Sequence, residues 1–511
     1  MELELKGAEL TAYETDGEVT LTQEETAETI VPDYCPDIAR IIETNGVVYL
    51  HSRELREGKT EISGTVRVTV LYTPDGEGGI RTLEFTMPFR AETDSRLLHG
   101  CQYIINDTEA EFLESRMLNP RKIFTRCKLV SHLTGYRKTA MDYSVDLEAE
   151  PALCIEKRTE KQRTIHLKQI AEKDFTFTDE LNLSAGREGV AEILNRQVSC
   201  AVTETKIVGN KLIFKGMMSV SVLYRSVGGK YCSTSGELPF SQIMEIDGVG
   251  EHASVSVRVQ ITGCDIQIDG DDPEGRQLAV TLYLHAIALL RETEELTLLN
   301  DVYSTAYDMN YEASPLTMTE LYEELNRRQM VREILEIGVV ADSLLSASAC
   351  CGSVSVSRDG ENTMLRSNVT VKVLYLDEGG VPLKAERTID VTCPLELPED
   401  CRVCVKAVCA EEVQGSLGDR GIEVRFPVDF RVEAEKSVKK VCISGVSLNT
   451  EEPKDIAGAP SLVLRCVGKQ ETAWDLAKKY NTTITAILAA NQLEEEPLPS
   501  DRLLLIPRKR G

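Results

Sequence analysis

The sequence predicts a mainly β protein in which three tandem copies of one β-rich domain, sandwich-like or barrel-like, precede a small β-α-α-β module. Two observations support this prediction. A Val-rich string that alternates apolar and polar residues occurs at residues 64–72, 216–224 and 367–375. After about residue 450, a polar stretch with prolines is followed by some fifty residues that carry strand and helix patterns.

Each of the three strings ends in Val-Leu-Tyr, and the tyrosines Tyr72, Tyr224 and Tyr375 are 152 and 151 residues apart. Alternation with a period of two is typical of a strand with one face in a core. Glycines follow each tyrosine and predict hairpin turns, because glycine accepts positive φ without steric cost. A proline between apolar residues comes next and predicts an edge strand or a strand end. The shared order indicates one domain repeated three times, rather than three unrelated β domains.

The length of the repeated unit predicts separate domains. A solenoid repeat has about 20–50 residues, so a unit of about 150 is expected to hold its own core. The spacing predicts the following limits: copies at 1–165, 166–314 and 315–448, a linker at 449–460, and the terminal module at 461–511. Three such domains would give the molecule length and lateral contact surface.

A short amphipathic element precedes each Val-Leu-Tyr string. It ends at Ile41 and at Ile193, in each case 31 residues before the tyrosine. The best match in the third copy ends at Ile334, 41 residues before Tyr375. This difference predicts an insertion of ten residues in the third copy.

Composition and charge exclude several classes of function. The formal net charge of −26 argues against a nucleic-acid partner, because a phosphate backbone requires a basic surface. The start of the chain lacks the basic and apolar regions of a secretory signal. No apolar run approaches the ~18–20 residues that span a bilayer. The sequence therefore predicts a protein made in the cytoplasm, without a transmembrane segment.

The sequence offers no recognisable catalytic or metal-binding pattern. G-x-S-x-G, P-loop and H-E-x-x-H motifs are absent, and the six histidines share no position across the copies. Cys401 and Cys404 lie three apart in a predicted strand and so face opposite sides, which suits a shared metal poorly. We therefore expect no catalytic residue, no metal and no cofactor. The fifteen cysteines are expected to be reduced, with no intrachain disulfide required for folding.

The last fifty residues predict strand, helix, helix and strand in that order. Residues 462–467 read as a strand, and Thr472 can cap a helix that contains Trp474 and Tyr480. Thr482 or Thr483 can cap a second helix. The run at 502–507 closes the module as a strand that ends in proline.

This module resembles a LysM domain over essentially its whole length. The matching positions are Val467, 470–474 (QETAW), Leu476, Ala477, Lys479, Tyr480, Ala490, Asn491 and 504–507 (LLIP). The resemblance implies a shallow glycan-binding groove between the loop before the first helix and the loop after the second. The groove residues implied here are Gln470, Glu471, Thr472, Ala473, Asn491, Gln492 and Leu493.

Two positions of this module depart from the LysM pattern. Gln470 replaces the family glycine and Glu471 the family aspartate. Glycine permits close backbone approach to a ligand, and Gln470 forfeits it. The departure favours binding of a protein over binding of a sugar. Trp474 is expected mainly in the core, because it lies on the apolar face of the helix.

The three copies resemble the SPOCS domain of endospore-forming bacteria. The resemblance rests on 32–38 (PDYCPDI), on the Val-Leu-Tyr strings and on 119–123 (NPRKI). Such domains followed by one LysM are similar to the SipL family of clostridial spore coat morphogenetic proteins. This similarity implies a non-enzymatic scaffold of spore coat assembly, made in the mother cell and gathered at the forespore surface. Its LysM domain would dock on a coat protein partner, a SpoIVA-like ATPase. The alternative is a LysM protein that binds peptidoglycan or a chitin-type glycan.

Overall fold

The computed structural model describes residues 3–56, 59–76, 78–184, 186–360, 362–409, 411–418, 421–454, 460–468, 471–493 and 503–508. Strands make up 78% of the chain and helices 4%, so the prediction of a mainly β protein is confirmed. Among these residues, no helix is both long enough and apolar enough to cross a membrane.

Each copy begins and ends with a long strand. The strands of the first copy are β1 (Leu3–Ile30), β2 (Ile38–Arg56), β3 (Lys59–Pro74), β4 (Arg81–Thr93), β5 (Tyr103–Asn119) and β6 (Lys122–Ala149). Those of the second are β7 (Ile155–Asn182), β8 (Val190–Val208), β9 (Lys211–Ser226), β10 (Tyr231–Glu245), β11 (Ser254–Ile268) and β12 (Gln277–Ser304). Those of the third are β13 (Tyr307–Leu335), β14 (Ala341–Asp359), β15 (Asn362–Asp377), β16 (Pro382–Glu396), β17 (Cys401–Val408), β18 (Gln414–Gly418) and β19 (Gly421–Pro453).

The boundaries between the copies in the strand sequence lie near the predicted domain limits but do not coincide with them. The limit at 165/166 lies within β7, the limit at 314/315 lies within β13, and the start of the predicted linker lies within β19. The long strands meet at two short connections, residues 150–154 and 305–306. The domain limits themselves stay predictions.

Strand pairing repeats from copy to copy. The predicted Val-rich strings form the central strands β3, β9 and β15 of three antiparallel sheets, ordered β2-β3-β4, β8-β9-β10 and β14-β15-β16. The first and last strands of each copy pair with each other as β1 with β6, β7 with β12, and β13 with β19. A shorter strand, β5, β11 or β17, lies on the other edge of the last one. The proline positions Pro88 and Pro239 lie on the edge strands β4 and β10, as predicted.

Each copy has a core of its own, formed where its three-stranded sheet packs on its long strands. In the first copy the alternating residues Val66, Val68, Val70 and Tyr72 of β3 are fully buried. They pack against β6 at Ile123 and at neighbouring apolar positions. Equivalent clusters surround β9 and β15.

The predicted insertion of ten residues in the third copy is wrong. Ile41 is paired with Tyr72, and Ile193 with Tyr224. The residue paired with Tyr375 is Leu344, which precedes it by the same 31 residues. Ile334 lies instead in β13, where it pairs with β19. The amphipathic pattern at Ile334 belongs to the long strand, and similarity of composition alone could not separate the two.

The three copies share an apolar centre. The leucine of each Val-Leu-Tyr string faces away from its tyrosine, because successive side chains of a strand alternate. These leucines are buried together with the residue at a β-bulge in the neighbouring strand of each copy. The cluster contains these six residues, Leu71, Leu223, Leu374, Ile42, Leu194 and Leu345, together with Ile80 of the first copy. The molecule therefore has a pseudo-threefold centre built from equivalent positions.

Contacts between all three pairs of copies close the arrangement. One polar contact represents each pair: Gln260 with the Asn106 carbonyl at 2.6 Å, Arg291 with Glu433 at 2.8 Å, and Arg40 with the Pro382 carbonyl at 2.6 Å. Further apolar clusters also combine all three copies. The three copies are therefore not strung out in a line, since the third copy contacts the first as well as the second.

The C-terminal module has the predicted β-α-α-β order. It consists of β20 (Leu462–Cys466), α1 (Ala473–Tyr480), α2 (Ile484–Ala490) and β21 (Leu503–Pro507). The two strands pair antiparallel, with Leu464 opposite Leu505. Both helices pack on one face of this hairpin.

Candidate functional site

The helices of the C-terminal module begin at capping threonines. Thr472 precedes α1 and forms a reciprocal capping box with Asp475: its hydroxyl accepts from the Asp475 amide at 3.2 Å, and its own amide donates to Asp475 Oδ2 at 3.1 Å. Thr483 precedes α2, and its hydroxyl accepts from the Ala486 amide at 3.1 Å. The predicted cap at Thr472 is confirmed, and Thr483 is the cap of the second helix.

The core of the module contains the only tryptophan of the chain. Trp474 is 4% exposed and packs with Ala477, Ile487 and Ile506. The interpretation of Trp474 as a core residue is confirmed. Its ring is therefore not presented to solvent as a platform for a sugar.

The first predicted groove loop lies before α1. Glu471 accepts a hydrogen bond from the Gly468 amide at 3.1 Å and forms an ion pair with Arg465. The backbone hydrogen bond from Gly468, followed by the charge of Arg465, lowers the pKa of Glu471. Ala473 is buried, and Gln470 lies outside the described residues. The carboxylate of Glu471 is thus already engaged by Gly468 and Arg465.

The second predicted groove loop follows α2. The side-chain amide of Asn491 donates to the Ile487 carbonyl at 2.8 Å and to the Leu505 carbonyl at 2.6 Å, and its oxygen accepts from the Leu505 amide at 2.8 Å. Asn491 therefore joins α2 to β21. Gln492 has a φ of +55° and an exposed side chain, and Leu493 packs at the edge of the core.

These contacts divide the predicted groove residues into two groups. The polar groups of Glu471 and Asn491 are bonded within the module, and Ala473 and Leu493 contribute to packing. Thr472 and Gln492 have exposed side chains, although the Thr472 hydroxyl also serves the helix cap. Their assignment as ligand-binding residues stays a prediction.

An exposed apolar face covers the outer side of the β20–β21 hairpin. Leu462, Leu464 and Leu503 are 50%, 63% and 60% exposed. Cross-strand partners share a face of an antiparallel sheet, so Leu505 lies beside Leu464, and Cys466 beside Leu503. We call Leu462, Leu464, Cys466, Leu503, Leu505 and Pro507 the hairpin face. Contiguous exposed apolar surface of this kind marks interaction sites.

The module is held on the body of the protein by an acidic residue at the end of the second copy. Asp301 of β12 accepts from Trp474 Nε1 at 2.7 Å and from Lys478 Nζ at 2.6 Å. Burial opposes ionisation of Asp301, but these two hydrogen bonds prevail and lower its pKa. The ammonium of Lys478 also lies 4.9 Å from the centre of the Tyr311 ring in β13.

Apolar contact supports this polar attachment. The Tyr303 ring meets the Trp474 ring edge to face, with 5.0 Å between centroids, and its hydroxyl donates to the Thr482 carbonyl at 2.7 Å. Lys454 donates both to the Ser304 carbonyl and to Asn481, at 2.9 Å each. The second copy, the third copy and the module therefore meet at the end of β12.

Comparison with protein families agrees with this architecture. The family described as "SipL, SPOCS domain" matches residues 37–111 and 189–269, and the family described as "LysM domain" matches residues 467–507. These segments of the chain are therefore similar to the SPOCS domain and to the LysM domain. Both SPOCS matches cover the three-stranded sheet and continue into the shorter strand of their copy, β5 or β11. Among curated proteins, the comparison finds no match to the chain.

The third copy lies outside the two SPOCS matches, yet the structure shows the same sheet. Strands β14, β15 and β16 reproduce the order of β2, β3 and β4 and the first two bulges of β2. SPOCS and LysM are non-catalytic binding domains. Their combination is that of a LysM protein associated with sporulation.

Sequence reasoning missed two features of this region. Asp301 and Tyr303 looked like ordinary residues near the end of a strand, and nothing local distinguished them. The hairpin face could have been recognised from the sequence. The continuous apolar run of β21 predicts a strand buried on both faces, whereas the helices of the module cover only one face of the hairpin.

Proposed function

We propose that this protein is a non-enzymatic scaffold of spore coat assembly that binds a coat protein partner, a SpoIVA-like ATPase, through its LysM domain at the forespore surface. One observation carries the proposal: the LysM domain presents an exposed apolar hairpin face, while the polar groups of Glu471 and Asn491 are engaged internally. An apolar face suits a protein surface better than a polyhydroxylated glycan, which needs free hydrogen-bonding groups.

The closed body of SPOCS copies supports a scaffold role. Its apolar centre and inter-copy contacts hold the copies as one unit, and the contacts of Asp301 and Tyr303 fix the LysM domain on that unit. A partner bound at the hairpin face would therefore be held in a defined orientation relative to the body. In this proposal the body supplies the remaining surface for lateral contacts in the coat.

The test is a binding measurement between the full chain and the SpoIVA-like ATPase of the same organism. The double variant Leu464→Ser and Leu503→Ser removes exposed apolar side chains from the hairpin face and should weaken binding at least tenfold, about 1.4 kcal/mol. The matched control is Val227→Ser, which changes a residue 71% exposed at a turn of the second copy. Unchanged affinity of the double variant, with its fold intact, would refute docking through this face.

Glycan binding is the second candidate, and the LysM match itself favours it. Here Gln492 and Thr472 would contact a peptidoglycan or chitin-type oligosaccharide. Calorimetry of the full chain with chito-oligosaccharides tests this reading. Saturable binding that is reduced in Gln492→Ala and unchanged in the hairpin-face variant would favour the glycan. Absence of a binding heat at millimolar oligosaccharide would argue against glycan binding with submillimolar affinity.

A further inference from the structure

We propose that Cys351 and Cys409 are a modification site: on exposure to a small-molecule disulfide they form an intramolecular disulfide that staples together the two sheets of the third copy. Their Sγ atoms are 2.9 Å apart as free thiols. Within the described residues, no second sulfur–sulfur contact is found. The two sulfurs therefore need to approach by only about 0.9 Å to reach the ~2.05 Å length of a disulfide bond.

The two cysteines belong to different sheets. Cys351 lies in β14, where it pairs with Val369 of β15. Cys409 directly follows β17, which pairs with the long strand β19. Both side chains are half-buried at the margin of the core between the sheets. A bond between them would therefore link the three-stranded sheet β14-β15-β16 to the sheet that contains β17 and β19. Both side chains are accessible enough for a small reagent to reach this point.

The site is particular to the third copy. In the second copy Cys200 pairs with Met218, as Cys351 pairs with Val369, so Cys200 is the structural counterpart of Cys351. Within the described residues, Cys200 has no sulfur in contact. The neighbour Cys350 points to the opposite face of β14 and is exposed. The staple thus depends on Cys409, a cysteine whose position the repeat pattern does not specify.

The reaction is thiol–disulfide exchange. One protein thiol loses its proton, and the thiolate attacks a sulfur of the small disulfide, which gives a mixed disulfide and releases one small thiol. The second protein thiolate then attacks the protein-bound sulfur and releases the other small thiol. In sum, two protein thiols are oxidised to one disulfide, and one small disulfide is reduced to two thiols.

The environment of Cys351 makes this exchange slow at neutral pH. The contact with Cys409 and then burial raise the pKa of the Cys351 thiol, so little thiolate is present. The protein can therefore remain reduced in a reducing compartment and become stapled under oxidising conditions. This agrees with the expectation that folding itself needs no disulfide.

The experiment exposes the full chain to oxidised glutathione, blocks the remaining thiols with iodoacetamide, and maps peptides by mass spectrometry without reduction. The expected result is a linked peptide pair containing Cys351 and Cys409, formed faster as the pH rises, and a higher melting temperature that reductant reverses. Cys350→Ser is the matched control and should oxidise like the wild type. Cys351→Ser should lose both the link and the melting shift.

Three outcomes would overturn the proposal. The first is that both thiols are still free after oxidation and are therefore alkylated by iodoacetamide. The second is that Cys409 is linked to Cys350 instead. The third is that the only disulfides formed are intermolecular. Mapping of the wild-type protein alone distinguishes these outcomes. The test therefore holds even if a serine variant fails to fold.

Discussion

The chain joins its parts in two different ways. The three copies meet in an apolar cluster to which each contributes the leucine of its Val-Leu-Tyr string, Leu71, Leu223 and Leu374. The LysM domain joins the body through single-copy contacts of Asp301 and Tyr303. The leucines of the first interface recur at equivalent positions of every copy. Among the described residues, the contacts that Asp301 and Tyr303 make with the LysM domain are not repeated by the other copies. The comparison suggests that the body is a permanent unit and that the LysM attachment can be adjusted without disturbing it.

The largest effect is expected where the body is broken at its centre. Leu71→Ala should lower the free energy of unfolding by about 2–5 kcal/mol, because the leucine is fully buried and its removal leaves a cavity shared by three copies. Urea denaturation measures the change. Leu118→Ala, at a leucine 46% exposed on β5, is the control and should have little effect. A shift below about 1 kcal/mol in L71A would show that the centre can repack.

A smaller effect is expected at the LysM attachment. Asp301→Ala leaves the Trp474 N–H and the Lys478 ammonium without their acceptor and should weaken the attachment by about 1–3 kcal/mol. Fluorescence is a direct readout, because Trp474 is the only tryptophan of the chain. We expect its emission to shift to longer wavelength. Asp308→Ala removes a carboxylate that is 79% exposed and lies 4.0 Å from Lys454 of the same junction; at this distance it should leave the spectrum nearly unchanged.

The same contact predicts a pH dependence with a definite sign. The pKa of Asp301 is lowered in the folded protein, so its stabilising contribution is complete above the unfolded value of about 4 and is lost as the pH falls through the folded value. The gap in melting temperature between the wild type and Asp301→Asn should therefore be wider at pH 6 than at pH 3. A gap that stays constant or grows in acid would contradict this account.

The smallest effect is expected at the turn before β2, which carries the PDYCPDI string of the first copy. The guanidinium of Arg121 donates to the Val31 carbonyl at 2.9 Å and the Cys35 carbonyl at 2.7 Å, and to Asp33 and Asp37 at 3.1 Å each. Arg121→Lys cannot reproduce this fork and should raise hydrogen exchange of the turn before β2, at a cost of about 1 kcal/mol. The turn before β8 in the second copy is the internal control. Equal protection of the first turn in the wild type and in R121K would show that the clamp is dispensable.

Much of the body could be predicted from the sequence, because its information is local and repeated. Alternation identified β3, β9 and β15, and their spacing identified three copies of one domain. The Arg121 clamp also explains why PDYCPDI and NPRKI occur together, since one residue of the second string ties down the first. The bulges at Ile42, Leu194 and Leu345 were not predictable, because a shift of register leaves no mark in a composition pattern.

The candidate site was less accessible to sequence reasoning. The LysM order, its helix caps and the buried Trp474 were predictable from spacing. The attachment through Asp301 was not, because it pairs residues 173 positions apart, each ordinary in its own context. The Ile334 error has the same origin: two apolar patterns of similar strength lay ten residues apart, and only pairing with a partner strand distinguished them.

The shared leucine centre has a consequence for how the protein comes together. A single copy released from the chain would expose its leucine and its bulge residue to water. It could bury them only by associating with two other copies in solution, and such a trimolecular association is unfavourable at low concentration. Because all three copies belong to one polypeptide, their association is intramolecular, and each copy meets the others at an effective concentration of order millimolar. The body can therefore assemble from the first molecule translated, before enough protein has accumulated to build anything larger.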